Sequence, residues 1–460
     1  MVKYELKYTI CKKGFIMQYR KDEYLISQHP LKALLVFALP MIIGNIFQQI
    51  YHMADSIIVG RLVGSQALAA VGASAAFSNV FICVASGAGV GASIIVSRAF
   101  GARDYEKMKQ SASTSLIFFT VLSIILGLAG FFLSRPMMTL LNTPDDVLDL
   151  AVLYLKVYFV GFPFLFLYNL VSAMFNALGK SRIPLYLLIF SSVLNVILDI
   201  WMVASLKLGV FGAALATLIA QGIAAMVSFV LYLREMRTYQ ADSYSRFSAK
   251  DLQDSLQLAV PSIIQQSTVS IGMMLVQSVV NGFGSEALAG FSAGARLESL
   301  EAVLYVCMSN ALSSYTSQNL GADRPERIRK GYHMALLIDA AASVFFFILL
   351  VFFPTPLVGL FLPSDGSGEA LRTGVSYISF IGMFLMFIGA KMATDGILRG
   401  AGKMKIFMIA NLVNLSIRVI VAVTLAPRFG IGFVWYAVPA GWAANFIVSY
   451  FWGFRKLSFI

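Results

Sequence analysis

The stretch PLYLLIFSSVLNVILDIWMVA, from Pro184 to Ala204, decides the class of this protein. A helix that crosses a bilayer needs about 20 predominantly apolar residues, and this run has that length with a single formal charge, Asp199. Membrane β-barrels instead show segments of roughly 10 residues that alternate in polarity, whereas apolar runs of roughly 20 to 30 residues recur along this chain. We therefore predict an all-α polytopic membrane protein.

The composition of the chain favours the same class. Of its 460 residues, 58% are hydrophobic and 13% are charged, whereas a soluble globular domain carries about 25% charged residues. One span with its loop uses about 35 to 40 residues, so the length fits about 12 spans. The net charge of +12 does not indicate a nucleic-acid partner, because the lysines and arginines gather in alternate loops.

Apolar runs between charged residues, glycines and prolines predict twelve helices in two sets of six, which we number spans 1 to 12. The first set is Lys32–Gly60, Ala67–Ser97, Met108–Leu133, Asp146–Leu178, Pro184–Ala204 and Phe211–Leu233. The second set is Leu252–Phe283, Glu286–Ser317, Gly331–Phe353, Glu369–Gly396, Ile406–Leu425 and Ile431–Phe454. A polar, serine-rich stretch separates the two sets and is typical of a linker. The predicted domains are a cytoplasmic tail (1–30), an N-lobe (31–234), a cytoplasmic linker (235–251) and a C-lobe (252–460).

The distribution of basic residues predicts the orientation of the chain. They follow the even-numbered spans, for example Arg98 and Lys107 after span 2 and Arg399 and Lys403 after span 10. Because cytoplasmic loops are enriched in lysine and arginine, we expect both termini in the cytoplasm and a multi-pass protein of the plasma membrane. The basic stretch before span 1 has no apolar core and does not resemble a cleavable signal peptide. It is either a cytoplasmic tail or an over-extended start, since a chain that began at Met17 would keep all twelve predicted spans.

An internal repeat indicates how the twelve spans are arranged. GSQALAAV from Gly64 recurs as GSEALAGF from Gly284, and SRAFGARD from Ser97 recurs as SQNLGADR from Ser317, both with a shift of 220 residues. An even number of spans in each copy makes the repeats parallel, with a pseudo-two-fold axis along the membrane normal and a cleft between the lobes. This plan is typical of transporters. Gene duplication alone also leaves such repeats, so the repeat does not by itself indicate a transporter. The polar residues inside the spans must discriminate between the two interpretations.

Four polar residues in the first set of spans form a candidate ion site. A carboxylate in the bilayer costs about 2.5 to 3.5 kcal/mol, so Asp55 in span 1 and Asp199 in span 5 each need a partner or a function. Asn195 lies four residues before Asp199, on the same helical face, and Thr217 adds a hydroxyl from span 6. Such an all-oxygen pocket suits Na⁺ or a shared proton. The alternative is a hydrogen-bonded cluster that only packs helices.

Further charges are predicted inside the second set of spans. Lys391 and Asp395 are four residues apart in span 10, and an internal ion pair is favoured over a substrate site. Glu298 and Glu301 share a face of span 8, and they either attract a cationic substrate or pair with Arg296 and Arg418. Asp339 in span 9 has no assignable partner.

The sequence gives no sign of enzyme, metal or nucleotide chemistry. Without a Walker motif, ATP does not drive the protein, and an ion gradient remains. No nucleophile, base and oxyanion arrangement is visible in the loops, so we expect a non-enzyme. The three histidines and the three cysteines lack the spacing of metal ligands; the cysteines are Cys11, Cys83 and Cys307.

Several motifs carry a family resemblance that extends from about Pro30 to Lys456. They are ADSIIVG from Ala54, RAFGARD from Arg98, LNVILD from Leu194, GARLES from Gly294 and LRGAG from Leu398. On these motifs the chain resembles the multidrug and toxic compound extrusion (MATE) family, and it leans toward the bacterial branch that is similar to DinF proteins.

The resemblance implies two six-helix bundles that export organic, mostly cationic compounds in exchange for Na⁺ or H⁺, with no other cofactor. In relatives the coupling ion is bound in the first lobe by residues that correspond here to Asp55, Asn195, Asp199 and Thr217. Some relatives also carry a glutamate in span 7. This chain has no acid between Pro261 and Phe283, which puts a second-lobe ion site of that kind in doubt.

The sequence thus predicts a secondary antiporter that works by alternating access. Cation binding at the four residues is expected to change the packing of spans 1, 5 and 6 and to release the drug outward. The expected partners are small-molecule drugs or toxic metabolites and the lipid bilayer, and no signal for an oligomer is visible, so a monomer is expected. Candidates for the wall of the substrate cavity are Gln48, Gln49, Tyr51, Asn169, Met174 and Asn176.

Two other functions remain as alternatives at this point. A lipid-linked oligosaccharide flippase of the same superfamily would line its cleft with cationic residues for pyrophosphate. The helices offer few of these, namely Lys156, Arg296, Lys391 and Arg418. An ion channel is an alternative of a different class. However, no selectivity-filter sequence accompanies the ion-site cluster, as a channel would require.

Overall fold

A computed structural model describes residues 7–10, 16–19, 23–141, 143–241, 243–362 and 368–457. About half of the predicted cytoplasmic tail, including Cys11, therefore lies outside the described residues. Within that tail, strands β1 (Lys7–Ile10) and β2 (Ile16–Tyr19) form an antiparallel hairpin with Lys7 opposite Tyr19. A four-residue helix, α1 (Tyr24–Ser27), follows. The all-α prediction did not include this hairpin.

Six long helices match the first set of predicted spans. They are α2 (Pro30–Leu62), α3 (Ser65–Gly101), α4 (Tyr105–Leu140), α5 (Asp145–Ala177), α6 (Arg182–Asp199) and α7 (Gly209–Arg237). Helix α6 continues through wider π-helical turns over Ile200–Ser205, so it reaches the end of predicted span 5.

The second set of spans is matched by α8 to α16. These helices are α8 (Ala249–Asn281), α9 (Ser285–Gly321), α10 (Pro325–Phe352), α11 (Pro354–Gly359), α12 (Gly368–Gly382), α13 (Leu385–Gly400), α14 (Met404–Thr424), α15 (Ala426–Phe429) and α16 (Gly432–Val448). Helix α16 runs into π-helical turns over Ser449–Gly453 and a 3₁₀ turn over Phe454–Lys456.

Within the described part of the chain, nine helices are long and apolar enough to cross a membrane, and a bent helix pair brings the number to ten. The two other predicted spans correspond to α9, which contains three acids and an arginine, and to α16, which has 17 residues before its π-helical turns. The architecture confirms the prediction of a twelve-helix membrane protein.

The prediction of span 10 as one continuous helix was wrong. Helices α12 and α13 form the bent pair, with an angle of 56° between them. At the bend, the Met383 N–H donates to the carbonyl of Phe380 and the Phe384 N–H to that of Ile381, so the backbone tightens into i to i−3 bonds. Phe384 has left the helical region, with φ −115° and ψ 12°. No proline marks the bend, which is why the sequence pattern did not reveal it.

The described chain divides into two compact units. The first unit is Leu39–Ile263, and the second unit is Met1–Ala38 with Ile264–Ile460. Their borders lie within α2 and α8, next to Pro40 and Pro261, whereas the predicted lobes change at residues 31 and 252. The first part of α2 thus belongs to the second unit, and the first part of α8 belongs to the first unit.

Polar contacts hold the segment before α2 within the second unit. Nη2 of Arg327 donates to the carbonyl oxygens of Gln28 (2.5 Å) and Leu25 (3.3 Å), and Nδ2 of Asn319 donates to that of Leu25 (3.2 Å). Nε of Arg327 donates to Oδ1 of Asn319 (2.9 Å), which fixes the guanidinium. We call Arg327 and Asn319 the α2 anchor.

An equivalent contact holds the start of α8 within the first unit. Asp251, in the first turn of α8, forms an ion pair with Lys107 and accepts hydrogen bonds from Gln110 Nε2 (3.2 Å) and Ser111 Oγ (2.9 Å). Lys107 and Arg327 are 220 residues apart, so the two cations occupy equivalent positions in the internal repeat.

Backbone conformations at the turns confirm the duplication. Gly64 (φ 113°) and Gly284 (φ 93°) both precede a long helix with the positive φ that glycine adopts without strain. Arg103 (φ 57°) and Asp323 (φ 53°) both adopt the left-handed conformation, which is uncommon for residues other than glycine. Each pair is separated by the repeat shift of 220 residues.

Close helix packing in the first unit depends on small residues of α3. A Cβ atom on Gly91 would lie 2.6 Å from the backbone nitrogen of Ala259, and one on Gly87 would lie 2.7 Å from that of Ile263. Only glycine at these positions allows α3 and the first part of α8 to come this close.

Candidate cation-binding site and adjoining cavity

Two carboxyl groups meet in the first unit. Asp199 is fully buried at the end of α6, and Asp55 is partly buried in α2. Their side chains lie close enough to interact directly. Two ionised carboxylates this close repel each other, so the pair favours a proton or another cation between them.

Asn195 and Thr217 complete the cluster. With its amide nitrogen turned toward Asp199, Asn195 donates to Oδ2 of Asp199 (2.9 Å), and its oxygen accepts from the N–H (3.1 Å) and hydroxyl (3.2 Å) of Thr217. The Thr217 hydroxyl also hydrogen-bonds with the Tyr51 side chain. The structure thus brings together all four residues of the predicted ion site, and we call them the cation cluster.

One oxygen of the cation cluster is left without a donor. Oδ1 of Asp199 is buried and has no hydrogen-bond partner in the part of the chain that the structure describes. A buried acceptor without a partner is costly, so this position favours a bound cation or a proton. Oxygens of carboxylate, amide and hydroxyl groups are the ligands that hard cations prefer.

The composition of the cluster does not favour a transition metal. Over the described residues, no group of three or more His, Cys, Asp or Glu side chains is placed to hold a metal ion. Two carboxylates with an amide and a hydroxyl fit Na⁺ or H⁺, as the sequence predicts.

A cavity of about 290 Å³ adjoins the cation cluster in the first unit. Tyr51, Asn195 and Thr217 belong to both, so one network of side chains borders the ion site and the cavity. Among the described residues that line the cavity, none carries a formal charge. The wall combines apolar residues with uncharged polar ones, among them Asn45, Gln48, Tyr168, Asn169, Ser172, Asn176, Ser192 and Gln221.

Four of the six predicted wall residues line this cavity: Gln48, Tyr51, Asn169 and Asn176. The other two are placed elsewhere. Met174 is fully buried in the apolar core of the first unit, and the exposed Gln49 is absent from the described lining of the cavity. Gln49 follows Gln48 directly, and neighbours on a helix point about 100° apart, so one of the two had to face away.

Helical spacing could have found the wall residues that sequence reasoning missed. Asn45 lies three residues before Gln48, Ser172 three after Asn169, and Gln221 four after Thr217, so each shares a helical face with a predicted residue. Tyr154 of α5 carries no such signal. Its hydroxyl lies within electrostatic reach of Asp55 and Asp199, and only the fold brings it there.

The predicted ion pair of span 10 is present in the second unit. Nζ of Lys391 lies 3.0 Å from Oδ2 of Asp395, and both side chains are almost fully buried. Asn411 donates to Oδ2 of Asp395 (3.2 Å), and Ser449 donates to Oδ1 (3.1 Å). Both oxygens of this carboxylate are therefore satisfied, which is what a structural ion pair requires.

The two acids of span 8 have different surroundings. Glu298 accepts a hydrogen bond from the Tyr377 hydroxyl, which also lies within electrostatic reach of Arg418. Both oxygens of Glu301 are buried, and neither has a hydrogen-bond partner among the described residues. One of the two alternatives for these acids, pairing with Arg296 and Arg418, is not among the ion pairs of the described residues.

A duplicated helical membrane fold, with a buried acidic cluster beside a polar cavity, defines a membrane transporter. The MatE family profile matches residues 40–201 and 261–424, one match in each copy of the repeat. The chain therefore belongs to the MatE family.

Similar proteins agree with this membership. The chain is 31% identical to the probable multidrug resistance protein YpnP of Bacillus subtilis, over 84% of this chain and 85% of that protein. It is 26% identical to the probable multidrug resistance protein YoeA of the same organism, over 93% and 96%. A MOP superfamily transporter from Pyrococcus furiosus has a similar structure, with a TM-score of 0.87, 26% identity and coverage of 95% of this chain and 98% of that one.

Proposed function

We propose that the protein is a multidrug efflux antiporter, which exports organic and mostly cationic compounds in exchange for Na⁺ or H⁺. The names of YpnP and YoeA support the multidrug part of this proposal. The exchange part rests on the cation cluster of Asp55, Asn195, Asp199 and Thr217.

The observation that carries the proposal is the sharing of residues between the ion site and the cavity. Tyr51, Asn195 and Thr217 line the cavity, and the same three side chains are linked to each other or to Asp199 by hydrogen bonds. A cation that engages the free oxygen of Asp199 therefore binds beside side chains that also line the cavity, Asn195 and Thr217. Its binding can thus act on the cavity wall without passing through intervening residues.

Charge explains why a cationic substrate and a coupling cation would exclude each other. The described lining of the cavity has no formal charge, and the adjoining carboxyl groups of Asp55 and Asp199 supply the negative charge. An organic cation in the cavity is stabilised while those carboxylates are ionised and unoccupied. Binding of Na⁺ or H⁺ neutralises them, so the affinity for the organic cation falls and the substrate leaves.

The cavity volume fits this class of substrate. Pockets for small organic ligands measure about 300 to 1,000 Å³, and the cavity of about 290 Å³ lies at the lower end of that range. Its mixture of apolar and uncharged polar groups contacts a drug-sized molecule without demanding one hydrogen-bond pattern.

The contacts of two candidate cations argue against a lipid-linked oligosaccharide flippase. Nζ of Lys156 lies 5.4 Å from the centre of the Phe131 ring, and Lys391 is paired with Asp395. The charge of Lys391 is therefore already balanced within the protein, and Lys156 lies against an aromatic ring.

Transport of ethidium into inverted membrane vesicles tests the proposal, with a Na⁺ gradient and a pH gradient imposed separately. We expect one of the two gradients to drive ethidium accumulation in vesicles that contain the wild type. Neither gradient should drive accumulation in Asp55→Asn or Asp199→Asn. The matched control is Asp149→Asn, because Asp149 is an exposed acid whose ion pair with Arg135 lies at the surface. Gradient-driven accumulation that persists in Asp199→Asn would contradict the proposed site.

A further inference from the structure

The linker between α7 and α8 is bound to the first unit at both of its ends. Tyr239 is 1% exposed, and its ring centre lies 5.8 Å from that of Phe100 and 5.2 Å from that of Tyr105. At the other end, the Ser248 N–H donates to Oγ1 of Thr114 (3.0 Å). The linker is therefore tied to the first unit at two points and is not a free tether.

The second end of the linker reaches the depth of predicted span 3. Oγ of Ser113 donates to the carbonyl oxygen of Arg246 (2.8 Å), next to the contact of Ser248 with Thr114. Ser113 lies eight residues after the start of α4, which corresponds to about 12 Å along the helix axis. Ser113 and Thr114 both fall within the predicted span Met108–Leu133, so the backbone beside them lies at the edge of the bilayer.

The chain turns back before α8 enters its own span. Asp251 follows Ser248 by three residues, but its contacts are with Lys107 and Ser111, which lie three or more residues nearer the start of α4 than Thr114. Three residues of an α-helix measure about 4.5 Å. The linker thus reaches deeper along α4, by about that distance, than the first turn of α8 does.

Two aromatic side chains of the linker are exposed at this end. Phe247 is 46% exposed, and Tyr244 is 44% exposed. Phe247 stands between Arg246 and Ser248, which both contact α4, so its backbone is fixed at that depth. Aromatic side chains favour the headgroup level of a bilayer, where both an apolar ring and its polar surroundings are accommodated. The headgroup layer is therefore the surface that these rings match.

Two cations accompany the aromatic rings. Nζ of Lys109 lies 5.6 Å from the centre of the Tyr244 ring, and Arg246 is exposed. Neither cation forms an ion pair within the part of the chain that the structure describes. Anionic headgroups attract lysine and arginine near a membrane surface, so lipid phosphate groups complement these charges. We call Lys109, Tyr244, Arg246 and Phe247 the linker patch.

The acids near the linker patch do not neutralise it over the described residues. Asp251 is paired with Lys107, and Asp254 lies one turn after a lysine of α8, which offsets its charge. Glu106, in the first turn of α4, forms no ion pair with the patch, and Asp242 lies outside the described residues. The positive charge of the patch is therefore left for an external partner.

We propose that the linker patch binds the headgroup layer of the bilayer, with its two aromatic rings inserted at that level and its two cations on the phosphate groups of anionic phospholipids. The patch lies entirely within the first unit, and none of its residues belongs to the cation cluster or to the described lining of the cavity. The proposal therefore does not rest on the exchange of a drug for a cation.

The depth of residue 247 tests the insertion of the patch. In a background without native cysteines, a nitroxide at Phe247→Cys in lipid nanodiscs is compared with Glu106→Cys and Ile117→Cys, two exposed positions of α4. Collisions with oxygen report on hydrocarbon, and collisions with a water-soluble nickel chelate report on water. We expect accessibility to nickel at residue 247 to lie between the values at residues 106 and 117. Accessibility equal to that at residue 106 would overturn the insertion.

The preference for phosphatidylglycerol over phosphatidylcholine tests the charge of the patch. Native mass spectrometry counts the lipids of each kind that the purified protein retains from an equal mixture. Lys109→Gln combined with Arg246→Gln should lower the preference about fivefold or more, because each cation near a membrane surface attracts anionic headgroups. The matched control, Arg329→Gln combined with Lys330→Gln, removes two exposed cations of the second unit and should keep the preference.

The outcomes separate a defined patch from a general effect of charge. Equal losses in the two double variants would overturn the assignment of the headgroup to the linker patch, and so would an unchanged preference in both. Gradient-driven transport of ethidium enters neither measurement, so the linker patch and the proposed antiport can fail independently of each other.

Discussion

Thr217 connects the ion site to the cavity through one small side chain. Its hydroxyl contacts Asn195 and Tyr51, and the residue lines the cavity. We expect Thr217→Ala to raise the cation concentration for half-maximal transport about 5- to 30-fold, since a lost hydrogen bond in a buried site costs about 1 to 2 kcal/mol. Thr217→Ser keeps the hydroxyl and should restore most of the affinity.

Transport of ethidium at graded Na⁺ or H⁺ concentrations measures this effect. Equal cation dependence in Thr217→Ala and the wild type would show that the hydroxyl does not belong to the ion site. An equal loss in Thr217→Ala and Thr217→Ser would instead assign the effect to packing of the methyl group.

At the residue scale, the sequence predicted the cation cluster because three of its members obey simple rules. Acids in apolar runs stand out, and Asn195 lies one helical turn before Asp199. The same rules predicted the Lys391–Asp395 pair. The sequence could not separate a wall position from a core position for Met174, because an apolar side chain suits both; the structure places it in the core.

At the scale of a helix, Gly91 tests whether α3 requires close packing. A Cβ atom there would meet the backbone of Ala259, so Gly91→Ala should destabilise the protein by about 1 to 3 kcal/mol. Gly72, on the same helix, has no atom within 4 Å of an added Cβ, and Gly72→Ala should be neutral or stabilising. Thermal unfolding in detergent compares the two, and equal midpoints would contradict the packing described for α3.

The α2 anchor gives a second prediction at the scale of a helix. Arg327→Ala removes hydrogen bonds to the carbonyl oxygens of Leu25 and Gln28, so the segment before α2 should exchange its amide hydrogens faster. The control is Arg329→Ala, which changes an exposed arginine of the same helix. Hydrogen exchange with mass spectrometry measures the difference. Unchanged exchange over residues 23–28 in Arg327→Ala would show that the anchor does not hold this segment.

Element positions were largely predictable, because long apolar runs between glycines and charges leave few choices. The bend between α12 and α13 was not, since no proline in the sequence marks it. The borders of the units inside α2 and α8 were also hidden. The contacts of Arg327 and Asp251 that accompany this division join residues distant in the sequence, so the sequence pattern did not reveal them.

At the scale of the whole molecule, the basic loops predict that even-numbered spans end in the cytoplasm. In a background without the three native cysteines, Lys330→Cys should react with a membrane-impermeant maleimide only after the cells are opened. Arg428→Cys, in a loop predicted outside, should react in intact cells. The reverse labelling would contradict the predicted orientation and place both termini outside.

Coupling between the two ligands is also a property of the whole molecule. If substrate and cation exclude each other, each must be able to drive the other, because the free energy of coupling is reciprocal. An outward ethidium gradient should then move Na⁺ or H⁺ inward even when no gradient of that cation is imposed.

The sharpest test is therefore cation uptake into proteoliposomes that are loaded with ethidium, measured for the wild type, Asp199→Asn and the surface control Asp149→Asn. We predict ethidium-driven uptake of Na⁺ or H⁺ in the wild type and the control, and none in Asp199→Asn. Ethidium efflux that moves neither cation in the wild type would contradict the exchange mechanism, and uptake that persists in Asp199→Asn would contradict its placement at the cation cluster.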